Sequence, residues 1–179
     1  MAVLLPDPPL RPFRAGDAAS IVRHADDHEV WRHLRDRFPH PYTAVDAENW
    51  IAFATSHDPP FHFAIEEAGE AVGGIGMIPG SDVDRVSAEV GYWLGRAVWG
   101  RGVATRALTS LVAYAFRTFD FTRLFATPFD FNPASIRVLE KTGWSREGVF
   151  RRAVIKEGRV GDLLVYALLR PDPRPPGRT

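Results

Sequence analysis

Apolar residues recur along this chain at two periods, and each change of period marks a change of element. Leu10-Arg11-Pro12-Phe13 predicts a short strand whose proline marks an edge or an end. Helical spacing follows. Asp17 is placed to cap a helix bearing Ala18, Ile21 and Val22, and a second turn carries Val30, Trp31 and Leu34. Thr43 or Asp46 then starts a helix with Ala47, Trp50, Ile51 and Ala54 on its apolar side. After Asp58-Pro59-Pro60 the period becomes two. Phe61, Phe63 and Ile65 form a strand, Gly69 turns the chain, and residues 71–78 return as the partner. Gly73, Gly74 and Gly76 weaken that returning strand unless something packs closely against it.

Residues 89–116 hold the most telling change. Val90, Tyr92 and Leu94 alternate with Glu89, Gly91 and Trp93, as in a strand. The loop Trp99-Gly100-Arg101-Gly102-Val103-Ala104-Thr105 then opens a helix. Its apolar face is Val103, Ala107, Leu108, Leu111, Val112, Ala115 and Phe116. Small residues at a helix mouth expose N–H groups that no intrahelical carbonyl can use, and the helix dipole adds positive potential there. Such a mouth suits phosphate. Residues 123–129 predict another strand. Asn132-Pro133 gives a strong helix start, with asparagine as cap and proline in the first turn, and Gly143 ends that helix. Residues 144–156 and 161–169 read as two last strands around Glu157-Gly158-Arg159. The pattern is a mixed α/β sheet, mostly antiparallel, with one helical crossover between strands free to lie parallel.

Composition narrows the chemistry. The 179 residues suit one domain. Lysine plus arginine equals aspartate plus glutamate at 22 each, so no overall basic field draws nucleic acid or an anionic membrane. No apolar run approaches the ~18 residues of a membrane span. The opening MAVLLPDPPL lacks a charged start and breaks at Pro6, unlike a signal peptide, so a cytoplasmic protein is expected. The absence of cysteine removes disulfides, thiolate metal sites and a cysteine-linked intermediate. His24, His28 and His33 fall near helical spacing, but no metal signature surrounds them and no metal is expected.

Three segments together resemble the GNAT superfamily of acetyl-CoA-dependent N-acetyltransferases, and more narrowly its RimJ/RimL-like branch. They are residues 88–94 with the loop 99–105, residues 132–144 (NPASIRVLEKTGW), and the closing hairpin 154–169. The resemblance implies one GNAT domain over residues 8–170, a sheet of about seven strands flanked by helices, and a disordered tail at 171–179. It implies acetyl-CoA as cosubstrate and a primary amine as acceptor, either a protein N-terminus or a small molecule. A homodimer is expected by analogy with the family. Carried over, Arg101, Gly102, Val103, Ala104 and Thr105 would hold the CoA pyrophosphate. Trp93 and Leu94 would bond the pantetheine arm where the central strand splays from its neighbour. Asn132 and Ser135 would contact CoA at the next helix start.

Each of these residues also has a plainer reading. Asn132 serves as an N-cap alone, Ser135 as a solvent-facing hydroxyl, and Glu89 as the partner of an arginine. In the sharper reading Glu89 is the general base, since a lysine amine, with a pKa of about 10.4, is mostly protonated at neutral pH. Ser135 then bonds or protonates the leaving thiolate. Many GNAT enzymes place a tyrosine acid one turn after this serine, but that position is Leu139, which cannot donate. Arg106 stands where glutamate is common in this branch, and its role stays open. A small-molecule acetyltransferase acting on aminoglycosides, polyamines or amino acids differs only in acceptor, and Asp26, Asp27 and Glu29 would favour a cationic one. A non-catalytic acyl-CoA-binding module is the third possibility.

Overall fold

In the computed structural model, residues 9–171 are described; the expected tail from residue 172 and the first eight residues lie outside them. The elements run β1 (Leu10–Arg11), α1 (Ala18–Ala25), α2 (His28–Trp31), α3 (Ala44–Ala54), β2 (His62–Glu67), β3 (Glu70–Pro79) and β4 (Ser87–Leu94). Then come α4 (Val103–Thr118), β5 (Arg123–Ala126), α5 (Pro133–Lys141), β6 (Ser145–Lys156) and β7 (Arg159–Leu169). One seven-stranded sheet joins them in the order β1-β2-β3-β4-β5-β7-β6. Every neighbouring pair is antiparallel except β4 and β5, which α4 connects as a crossover. The mixed, mostly antiparallel sheet expected from the sequence is the one observed.

Alternation assigns the two faces of the sheet. Phe63, Ile65, Val72, Val90 and Leu94 pack with Leu108, Leu111 and Tyr114 of α4 and Leu139 of α5. On the other face Ala64 and Ala71 meet Ile21 and Ala25 of α1 and Ala47, Ile51 and Ala54 of α3. Small residues on this second face let two helices lie close. The glycines of β3 do the same within the sheet: a Cβ on Gly73 would press on the Trp93 carbonyl oxygen and stand 3.1 Å from Leu94 Cα.

Local signals place most helix ends. Thr43 and Asp46 form a reciprocal capping box at α3, so both residues proposed as its start contribute. Asp17 differs from expectation: its side chain makes no cap bond to α1. The carboxylate instead accepts from Arg11 Nη1 at 2.7 Å and Nη2 at 2.8 Å, and from the Arg14 N–H at 2.8 Å. Glu66 takes the remaining side of the Arg11 guanidinium, tying β1 and β2 to the start of α1. A half-buried arginine prevails over the helix end because its bidentate bonds are charge-assisted.

Burial pushes the Asp17 carboxyl up, but the Arg11 bonds and the Arg14 N–H outweigh it and hold the group below its ordinary 3.8. A folded-state pKa below the unfolded one adds stability that is complete above the unfolded value and lost as pH falls through the folded value. Asp17→Asn is expected to cost about 1–2 kcal/mol at neutral pH and to flatten the loss of stability on acidification below about pH 4. Urea midpoints measured from pH 3 to 7 check this; an unchanged acid slope in the variant contradicts it.

Candidate active site

β4 and β5 run together only at their starts. Ser87, Ala88 and Glu89 pair with Arg123, Leu124 and Phe125, after which β5 ends at Ala126 while β4 continues to Leu94. One edge of β4 is therefore left without a neighbouring strand. Two bonds fix which backbone groups face it. Gly80 N–H donates to Ser87 O and Gly95 N–H donates to Val72 O, both at 2.8 Å. Antiparallel ladders alternate in direction, so Glu89, Gly91 and Trp93 turn their backbone groups toward β3. Tyr92 and Leu94 turn their N–H groups into the gap.

This register corrects one expectation. The resemblance has both Trp93 and Leu94 bond the pantetheine arm, but consecutive strand residues turn their backbone groups opposite ways. The Trp93 N–H belongs to the β3 ladder opposite Gly74, and what Trp93 gives the cavity is side chain. Leu94 differs: its carbonyl accepts from Trp99 Nε1 at 2.8 Å, and its N–H faces the gap.

At the far end of the gap stands α5. Asn132 Oδ1 accepts from the Ser135 N–H at 3.1 Å, so the asparagine is an N-cap, and Pro133 occupies the first turn. The Ser135 Oγ lies 2.8 Å from the Tyr92 hydroxyl, which crosses from β4. Burial pushes the Tyr92 phenol up to about 12, against a smaller lowering by the Ser135 bond, so it stays protonated at neutral pH. Leu139 is fully buried, as its place on the apolar side of α5 requires. The phenol hydroxyl beside Ser135 belongs to Tyr92 of β4.

The glycine loop forms the other end. Gly100 and Gly102 both have positive φ, +74° and +73°, which only glycine adopts without strain. Gly102 occupies the N-cap position of α4 and provides no side-chain bond, so the N–H groups of Val103, Ala104 and Thr105 depend on an outside acceptor. Arg101 and Arg106 flank this mouth, each 3.3 Å from a different oxygen of Glu67. Arg106, left open by the sequence, thus stands beside Arg101 as a second cation at a helix mouth suited to phosphate.

A cavity of about 900 Å³ opens from the gap toward α3. Glu89 faces it, accepting from Thr127 Oγ1 at 2.7 Å. Arg35 Nη2 donates to the same threonine at 2.9 Å and lies 3.8 Å from Glu89 Oε1. Both readings of Glu89 are therefore present together: it has an arginine neighbour, and it lines a chamber large enough for a ligand. Trp50 walls the chamber, whereas Trp31 lies under the Lys156 ammonium, 3.3 Å from its ring centre. His40 stacks on Trp31, while Tyr42 lines the chamber. Among the described residues no group of three histidine or acidic side chains is placed to hold a metal, and no helix is long and apolar enough to cross a membrane.

Residues 9–145 match a family model described as the acetyltransferase (GNAT) domain. The chain is 33% identical over 169 residues to the "uncharacterized N-acetyltransferase p20" of Bacillus licheniformis, covering 90% of this chain and 92% of that one. RimJ of Mycobacterium smegmatis, solved in complex with CoA-disulfide, has a TM-score of 0.77 at 27% identity, covering 89% of this chain and 80% of that one. RimL, the ribosomal L7/L12 α-N-protein acetyltransferase solved with coenzyme A, shares the fold with a TM-score of 0.78 at 19% identity, covering 89% and 92%. The chain belongs to the GNAT acetyltransferase family. It is an acetyl-CoA-dependent N-acetyltransferase similar to the RimJ/RimL proteins.

The loop, the cap, Ser135 and Glu89 are the candidates that the sequence offers; Tyr92 and Thr127, which the structure sets against Ser135 and Glu89, are not among them. Tyr92 left one signal: a phenol on a strand face otherwise made of valine and leucine needs a partner for its hydroxyl. Thr127 left none, because it meets Glu89 only once β5 lies beside β4.

Proposed function

We propose that the acetyl group passes directly from acetyl-CoA to a primary amine in a ternary complex formed across the β4–β5 gap. The observation that carries this reading is the Tyr92–Ser135 hydroxyl pair, set beside an unpartnered strand edge and at a capped helix start. The pantetheine arm would extend β4, taking the Leu94 N–H, and the pyrophosphate would rest on the first turn of α4 between Arg101 and Arg106. The Tyr92 N–H also faces the gap and would stabilise negative charge on the thioester oxygen. As the amine nitrogen bonds the carbonyl carbon and the C–S bond breaks, sulfur takes a proton from Ser135, Tyr92 passes its own proton to Ser135, and water entering as CoA leaves returns the proton to Tyr92. The surplus proton of the amine leaves to Glu89, directly or through water.

Thiol release from acetyl-CoA across a panel of peptides and small amines tests this. Amine-dependent release is expected; binding of acetyl-CoA with no release for any amine would make the chain a non-catalytic acyl-CoA-binding module. Glu89→Gln is expected to lower turnover roughly tenfold with acetyl-CoA affinity unchanged, most strongly below the pKa of the acceptor amine. Turnover equal to wild type across pH removes Glu89 from the mechanism.

A further inference from the structure

We propose that the acceptor is a small arylalkylamine, a single primary amine a few bonds from an aromatic ring, resting on the acetyl-transfer reading above. The chamber beyond Glu89 is walled by rings. Trp50 and Phe53 on one side of α3 meet His62 of β2 at 5.1 and 5.3 Å between ring centres, and each other at 5.6 Å. Nearer the gap, Phe38 meets Trp93 at 5.5 Å and Tyr42 at 5.0 Å. All of these line the same chamber as Glu89 and Ser135. Such walls take a flat apolar group by edge and face contact.

The charges limit the acceptor to one amine. Two carboxylates line the chamber, Asp46 and Glu89, against two guanidiniums, Arg35 and Arg37. Asp46 Oδ2 takes both the Thr43 N–H at 2.8 Å and its hydroxyl at 2.6 Å at the start of α3, so Glu89, on β4 beside the gap, is the carboxylate at the reacting end. Asp26, Asp27 and Glu29, the acids that would favour a cationic acceptor, do not line the chamber. Asp26 accepts from the Tyr42 N–H, and Asp27 pairs with Arg96 and caps α2. A polycation would bring several charges to a wall whose two carboxylates are balanced by two guanidiniums, at the cost of desolvating the rest. An entering peptide would strand its N–H and C=O groups against the rings. His62 fits the apolar wall: burial, with a smaller effect of His57, lowers its pKa to about 4, so the ring is neutral at physiological pH.

The closing experiment compares CoA release by the full chain with phenethylamine, spermidine and a short peptide beginning with alanine. Phenethylamine is expected to have a kcat/KM at least about tenfold above the other two. Phe53→Ala, at a side chain 50% exposed and so safe for folding, is expected to raise the phenethylamine KM roughly fivefold without altering the acetyl-CoA KM. Equal use of the three acceptors, or a preference for spermidine or the peptide, overturns this inference and leaves acetyl transfer standing. An unchanged phenethylamine KM in Phe53→Ala overturns it as well. No release with any amine overturns the proposed function itself.

Discussion

Tyr92→Phe, the loss of one oxygen, is expected to slow the acetyl-transfer step by roughly 10²-fold. Acetyl-CoA affinity should stay close to wild type. The phenol is held protonated because burial raises its pKa to about 12, and its one side-chain partner is the Ser135 hydroxyl 2.8 Å away. Sulfur gains negative charge only as the C–S bond breaks, so donation to it matters most then; an interaction made mainly then lowers kcat rather than raising KM. Ser135→Ala should cost a similar factor. The double variant should cost little more than either single one, since groups acting as one relay are not additive. Single-turnover rates with saturating acetyl-CoA separate this from binding. A Tyr92→Phe enzyme with wild-type single-turnover rate, or losses that simply multiply in the double variant, would contradict a shared proton path.

The second large effect is on stability. Gly73→Ala is expected to cost roughly 3–5 kcal/mol, because the added methyl would meet backbone on β4: the Trp93 carbonyl oxygen and Leu94 Cα. A flexible side chain could turn aside, but two paired strands cannot part without losing ladder bonds. The site would suffer with the fold. Gly73 pairs with Leu94, the residue whose N–H faces the gap. A melting temperature lower by about 6–20 °C is the expected readout for a chain of this size. Gly91→Ala is the control, since nothing lies within 4 Å of a Cβ there. Equal melting temperatures for Gly73→Ala and wild type would show that β3 and β4 can yield.

The contrast between these two glycines shows what the sequence made legible. Three glycines in β3 signalled a close approach without naming its partner, because register is a property of two strands. Local chemistry was readable in full: Asn132-Pro133 starts α5, Thr43 and Asp46 share a cap, and two glycines bend the chain into α4. What escaped depends on residues far apart in the chain. Asp17 abandons its expected cap because the Arg11 guanidinium lies against it. Trp31, which helical spacing groups with Val30 and Leu34, lies under Lys156, whose ammonium also bonds Asp36 at 2.7 Å across 120 positions. Within the candidate site the same division holds. Ser135 is singled out by the family resemblance of its segment, whereas the Tyr92 hydroxyl joins it only when α5 packs beside β4. Alternation also cut the other way, separating the Trp93 and Leu94 backbones that proximity in sequence had grouped.

Direct transfer from acetyl-CoA to an amine, with no acetylated enzyme between, is most directly tested by steady-state rates with both substrates varied. Lines of reciprocal rate against reciprocal acetyl-CoA should intersect when the amine concentration changes, because both substrates must occupy the β4–β5 gap and its chamber together. Parallel lines, accompanied by an enzyme one acetyl group heavier after mixing with acetyl-CoA alone, would contradict a ternary complex.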